Sequence, residues 1–168
     1  MNKYSEKSNQ KLATCHPDIR KIFNKAIKIV DITVFYGIRT LQEQQQFYKD
    51  GKSKLDGVIN KSKHQGKEVS PEIYQDDKDT GDYSYNNYGE PIISFAIDAG
   101  PHPLDFGNAS KKKARFYYLN GVLQAVTYEL LQKGEITHKL RWGGDWDGDG
   151  DYEDQSFDDL NHWELIEL

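Results

Sequence analysis

Two short segments alternate along their length, and they constrain this chain more tightly than any other feature. In IISFAIDAG (92–100) the pleat puts Ile93, Phe95 and Ile97 on one face and Ser94, Ala96 and Asp98 on the other. In HWELIEL (162–168), Trp163 and Leu165 oppose His162 and Glu164. Strands of this kind close a core with one face and hold titratable groups on the other. Asp98 also sits among small neighbours, which leaves room for a second group beside its carboxylate. A strand-borne Asp or His is more often a hydrogen-bonded structural group than a ligand, so alternation alone does not assign these residues a role.

The segments around these strands set the architecture. HPDIRKIFNKAIKIV (16–30) has Pro17 in a first turn and Ile19, Ile22, Phe23, Ala26 and Ile27 at helical spacing. DITVFYGIRT (31–40) is β-branched and aromatic and reads as a strand. Thr40 can cap a second helix, LQEQQQFYKDG, with Glu43 at the capping-box position. SKKKARFYYLNGVLQAVTYELLQKG (110–134) is a long helix with Ser110 as its N-cap and Gly134 at its end. Residues 67–91 are rich in acids, tyrosines and turn formers, and read as a long loop or an inserted hairpin turning near Asn86-Asn87. Residues 138–157 read as a glycine- and aspartate-rich loop. The expectation is one α+β domain over 1–168, built on a small antiparallel sheet with helices packed against it.

Composition removes several classes. No apolar stretch approaches the ~20 residues that cross a bilayer, and the N-terminus carries no apolar secretory core. A single cysteine, Cys15, excludes an intramolecular disulfide and a cysteine-rich metal site. The net charge of −5 argues against general binding to nucleic acid. The basic run SKKKAR (110–115) reads as a solvated helix face.

Five motifs stand in order along nearly the whole chain from His16: YGIRTLQEQ (36–44), SKHQG (62–66), FAIDAG (95–100), RWGGDWD (141–147) and DLNHWEL (159–165). In this order they resemble the zinc D-Ala-D-Ala carboxypeptidase and L-alanyl-D-glutamate endopeptidase family, in its bacteriophage endolysin branch. The resemblance implies a zinc site in a cleft on the sheet, with His64, Asp98 and His162 as ligands. It implies Asp159 as catalytic acid/base, Arg39 facing the substrate, and Glu164 holding the His162 imidazole or shaping the cleft. In the usual pattern the Asp ligand follows the first His by seven residues, whereas here the acidic segment 67–91 lies between His64 and Asp98. Glu68, Asp76 and Asp77 are nearer to His64 in sequence, but strand context favours Asp98.

The activity implied is hydrolysis of the peptide stems of bacterial peptidoglycan by a phage lysis enzyme. Such an enzyme would be a monomer without a separate wall-binding domain or membrane insertion, held in the host cytoplasm until lysis. A D,D-carboxypeptidase removing terminal D-Ala is the close alternative. A non-catalytic, calcium-dependent wall-binding module is the distant one. DWDGDGDYEDQS (145–156) opens like an EF-hand loop, with Asp145, Asp147 and Asp149 at positions 1, 3 and 5 and Gly150 at position 6, but Ser156 replaces the bidentate glutamate at position 12. It is a candidate Ca²⁺ site, and a solvated acidic turn accounts for it equally well.

Overall fold

The structure is a computed structural model, and it describes residues 2–70, 73–74, 81–86, 88–106 and 110–168. Its helices are α1 (Glu6–Ala13), α2 (Pro17–Ala26), α3 (Leu41–Lys49) and α4 (Ser110–Gln132), with a 3₁₀ turn at Lys63–Gln65. Its strands are β1 (Ile32–Tyr36), β2 (Lys67–Glu68), β3 (Ser84–Tyr85), β4 (Pro91–Ile93), β5 (Ala96–Pro101), β6 (Lys139–Gly143) and β7 (Asp159–Ile166). The main sheet has the order β1-β5-β7-β6, and every pairing in it is antiparallel. This is the α+β architecture expected from the sequence.

One face of the sheet closes the core. Ile97 and Ala99 of β5, Trp163 and Leu165 of β7, and Leu140 and Trp142 of β6 are buried against α2 and α4. Helix α4 turns Phe116, Leu119, Leu123, Val126 and Leu130 inward, a helical stripe of apolar residues at spacings of three and four. Asn120 lies in the same stripe, where its Oδ1 accepts from the Trp163 indole N–H at 3.2 Å, so the buried donor has its partner.

Helix α2 is fixed at its start by polar contacts. Its N-cap, His16, accepts the Asp18 N–H on Nδ1 at 3.1 Å. The Asp18 carboxylate in turn accepts from the Thr137 and His138 backbone N–H groups and lies 2.8 Å from His138 Nδ1. This ties α2 to the turn that enters β6.

Four local features differ from the sequence reading. Residues 139–143, read as loop, form β6: Leu140 and Trp142 are buried by alternation, but five residues before a Gly-Asp run give too short a pattern to stand out. The segment 92–100 is two strands. It breaks at Ser94, whose Oγ donates to Ala96 O at 2.6 Å and whose backbone pairs with the 14–16 segment. Helix α1 carries only Ser8 and Leu12 inward, so no apolar stripe announces it. Ser110, expected as an N-cap, is the first residue of α4.

The break in 92–100 lets β4 join β2 and β3 in a second, three-stranded sheet of order β2-β4-β3. The hairpin turns at Asn86, whose Oδ1 accepts the N–H groups of Tyr88 and Glu90, each at 2.9 Å. Asn87, Asp76 and Asp77 lie outside the described residues. The described part of the 67–91 segment thus contributes β2 and β3 to a small accessory sheet with β4.

Candidate metal centre

Asp98 and His162 stand directly opposite each other across β5 and β7. Cross-strand partners share a face, so the pairing alone places both side chains together on the face away from the core. His64 arrives from a different element. Ser62 caps the 3₁₀ turn through a capping box with Gln65, and the turn delivers a His64 ring that is 1% exposed. Its Nε2 lies 3.0 Å from Asp98 Oδ1 and 3.3 Å from His162 Nδ1, and the latter is 3.0 Å from Asp98 Oδ1. All three of these expected ligands therefore meet.

Hydrogen bonds on the outer side of each ring orient these nitrogens. His64 Nδ1 lies 2.7 Å from the carbonyl of Gly37, which can only accept, so Nδ1 carries a proton. His162 Nε2 faces Glu164 Oε2 at 3.3 Å in the same sense. With both imidazoles neutral, two bare ring nitrogens and a carboxylate oxygen point at one another. In that state three acceptors converge on one point, where a cation can take the place of a proton. Ligand atoms of a tetrahedral zinc ion, at ~2.0–2.2 Å from the metal, stand roughly 3.3 Å apart, close to the spacing of this triangle. The donor set fits zinc.

The charges around the triangle follow from burial and pairing. Burial alone would raise the Asp98 carboxyl, but the His64 and His162 rings hold it well below the usual carboxylate range. Burial would lower His162, yet hydrogen bonds to Asp98 and Glu164, with the charge of Asp159 beyond them, push it up to about 9. Glu164 is also buried, which would raise it. His162, Arg141 and Lys63 bring it down to about 2.

Arg39 lies under the site. Its guanidinium donates to Asp98 Oδ2 at 3.1 Å and to Gln44 Oε1 at 2.8 Å, and it packs over the Phe47 ring at 4.4 Å and the Tyr36 ring at 5.1 Å. One of its donor groups thus holds Asp98 and a second is held by Gln44, while its buried Nε has no partner among the described residues. Glu164 pairs with Arg141 and Lys63, and its Oε2 lies 3.3 Å from His162 Nε2.

Asp159 opens β7 and lines the same cleft, about 840 Å³ in volume, together with His64, Asp98 and His162. Its carboxylate makes no hydrogen bond or ion pair among the described residues. Burial raises its pKa, and the Asp98 charge adds to the rise against the pull of His162, His64 and Arg39. A regular strand would send Asp159 to the face opposite His162, since the two are an odd number of residues apart. The register between β6 and β7 slips at this point, from Trp142 opposite Trp163 to Gly143 opposite Asp159. The irregularity turns Leu160 toward the core and Asp159 toward the cleft.

Some contributors carried no assignment from the sequence. Gln44 is fully buried and joins Arg39 to the 53–55 loop, with its amide N–H₂ donating to Ser53 Oγ and Leu55 O. It stands in the EQ motif, the one feature that marked it. Trp146 packs its ring against His162, with centroids 5.6 Å apart, and Arg141 donates to the Trp146 carbonyl. Asp145, Asp147 and Asp149 each offer an oxygen within 4.8 Å of the others, so the acidic loop also converges.

An aspartate and a histidine on a sheet and a second histidine from a neighbouring turn, with an unpaired carboxylate beside them in an open cleft, define a candidate metallohydrolase. The model of the family described as phage L-alanyl-D-glutamate peptidase matches residues 1–78, a span that holds Arg39 and His64. The L-alanyl-D-glutamate peptidase of Escherichia phage T5 is 29% identical over 164 residues, which cover 91% of this chain and 88% of that protein. In structure, the chain resembles the Serratia marcescens L-Ala D-Glu endopeptidase ChiX, with a TM-score of 0.55 at 16% identity over 98% of this chain and 91% of that one. That last likeness is one of fold. The chain is thus similar in sequence to phage L-alanyl-D-glutamate peptidases and in fold to an L-Ala D-Glu endopeptidase.

Proposed function

We propose that this protein is a zinc-dependent L-alanyl-D-glutamate endopeptidase that cuts the peptide stems of bacterial peptidoglycan as a phage endolysin. The observation that carries the reading is the triangle of His64 Nε2, Asp98 Oδ1 and His162 Nδ1, with the raised carboxyl of Asp159 in the same cleft. A zinc ion held by two imidazoles and one carboxylate supplies Lewis acidity toward a carbonyl and lowers the pKa of water from about 15.7 toward ~7.

The chain's own residues do the rest. Asp159 takes the proton of the attacking water and returns it to the departing amine, a task suited to a carboxyl whose pKa lies above the usual range. Arg39 and Gln44 keep Asp98 in place, and Glu164 keeps the His162 proton on Nε2. Arg39 also lines the cleft, where its positive charge would stabilise a substrate oxygen. A monomer that accumulates in the host cytoplasm and then acts on the wall completes the reading.

The acidic loop is the proposed site of a second ion, Ca²⁺. Its support is the approach of the Asp145, Asp147 and Asp149 oxygens and the contact of Trp146 with His162, which would link loop order to the metal centre.

The test is mass spectrometry of purified peptidoglycan after incubation, with chelator and then with Zn²⁺ restored. New L-Ala C-termini and D-Glu N-termini that disappear with chelation and return with zinc are expected. Released free D-Ala would move the activity to a carboxypeptidase, and wall binding without cleavage would leave a binding module.

A further inference from the structure

Four cationic side chains line the cleft among the described residues: Arg39, Lys52, Lys54 and Lys63. Three already have anionic or carbonyl partners. Arg39 is held by Asp98 and Gln44. Lys63 donates to Leu165 O at 2.6 Å and pairs with Glu164 at 3.2 Å. Lys52 pairs with Asp50 at 3.3 Å. Lys54 is different: its described contact is the ring of Phe157, with Nζ 4.9 Å from the centroid.

The placement of this contact matters. Lys54 lies in the loop after α3, and Phe157 lies in the segment that enters β7 two residues before Asp159. The contact therefore joins two walls of the cleft, and Lys54 is exposed there. The wall of residues 145–159 is acidic, and the chain as a whole carries −5, so an anionic ligand is driven toward the 52–54 side. A solvent-exposed cation on an aromatic face is held weakly, and a carboxylate is a stronger partner for an ammonium group than a ring is. An incoming carboxylate would displace Phe157 from Lys54.

We propose that Lys54 is a specificity-determining residue that captures a free carboxylate of an acidic peptide substrate at the mouth of the cleft, with the Phe157 ring holding its side chain until the substrate arrives. This rests on the peptidase reading above, under which the residue on the amine side of the cut bond is a glutamate. A γ-linked D-glutamate keeps its α-carboxylate free, next to the scissile nitrogen.

The experiment separates binding from turnover. Calorimetry would compare two product-side ligands, a γ-linked D-glutamyl dipeptide with its α-carboxyl free and the same dipeptide with that group amidated. The native protein is expected to bind the acid roughly tenfold more tightly than the amide. Lys54→Met should bring that ratio close to one, and Lys54→Arg should retain it. An unchanged ratio in Lys54→Met, or no preference in the native protein, would overturn the proposal. Hydrolysis of an L-alanyl-D-glutamyl peptide by the native protein is measured alongside. Preference for the acid without hydrolysis would support the subsite and remove the peptidase reading. Hydrolysis without preference would do the reverse. Because Lys54 is exposed, unchanged thermal midpoints of both variants provide the control for folding.

Discussion

Asp98 Oδ1 lies 3.0 Å from His162 Nδ1 because the two residues are direct cross-strand partners on β5 and β7. The backbone ladder thus builds two corners of the candidate metal triangle, and only His64 has to be brought from elsewhere. The ladder also sets what should happen when a corner is removed. Asp98→Ala should abolish zinc binding, and it should leave the Arg39 guanidinium buried without its counter-charge. Losing one partner of a buried pair costs about 3–5 kcal/mol. Metal content after dialysis should fall to background, with a lower unfolding midpoint in denaturant. A variant that still holds stoichiometric zinc would remove Asp98 from the ligand set.

Asp159→Asn should separate chemistry from metal binding. The side chain has no structural partner among the described residues, so fold and zinc content should stay at native levels. Loss of a positioned general acid/base costs about 10²–10⁴-fold in rate. Turnover of a stem peptide, read beside metal content, decides the role. Loss of zinc together with activity would make Asp159 part of the metal site instead.

Gly143 provides a second route to Asp159. A Cβ at this position would sit 2.5 Å from the Asp159 carbonyl and 3.1 Å from the Trp146 ring. Gly143→Ala must therefore push β7 away at the irregularity that aims Asp159 into the cleft. Overpacking of this kind costs about 1–3 kcal/mol. The rate should fall while zinc remains bound; a fully active Gly143→Ala would mean that the β6–β7 spacing does not set the Asp159 position.

The metal-stripped protein should show a stability optimum with two edges. Glu164 is lowered from 4.5 to about 2, so its contribution is fully present above 4.5 and is lost as pH falls through about 2. His162 is raised from 6.5 to about 9, so its contribution is fully present below 6.5 and is lost as pH rises through about 9. Thermal midpoints in chelator should thus be highest between about 4.5 and 6.5. Zinc, which requires the neutral imidazole, should remove the alkaline decline. A midpoint in chelator that stays level from pH 6.5 to 9 would contradict the pairing of His162 with Asp98 and Glu164.

Cys15 should be inert in the native state. It is fully buried beside the Ala96 carbonyl, and burial pushes its thiol up to about 12. An alkylating reagent at pH 8 should label it only after unfolding. Rapid native labelling would show that the α1–α2 junction opens.

What the sequence determined by itself was local. Alternation in 95–98 and 162–165 assigned Asp98, His162 and Glu164 to one face and Ile97, Trp163 and Leu165 to the other, because side-chain direction along a strand depends only on parity. Helical spacing likewise identified the inward face of α2. The order of five motifs allowed His64 and Asp159 to be named through a family resemblance, although nothing local linked them to Asp98.

The tertiary structure decided what parity could not. It brought His64 against Asp98 across 34 positions and oriented both imidazoles through Gly37 and Glu164. It turned Asp159 into the cleft by a slip in strand register that breaks the very alternation on which the sequence reading depends. It engaged Arg39 with Asp98 and left Lys54 facing an aromatic ring. The physical reason is common to all of these. Residue type and spacing fix which way a side chain points from its own strand or helix, whereas a triangle with sides of 3.0–3.3 Å depends on how separate elements pack.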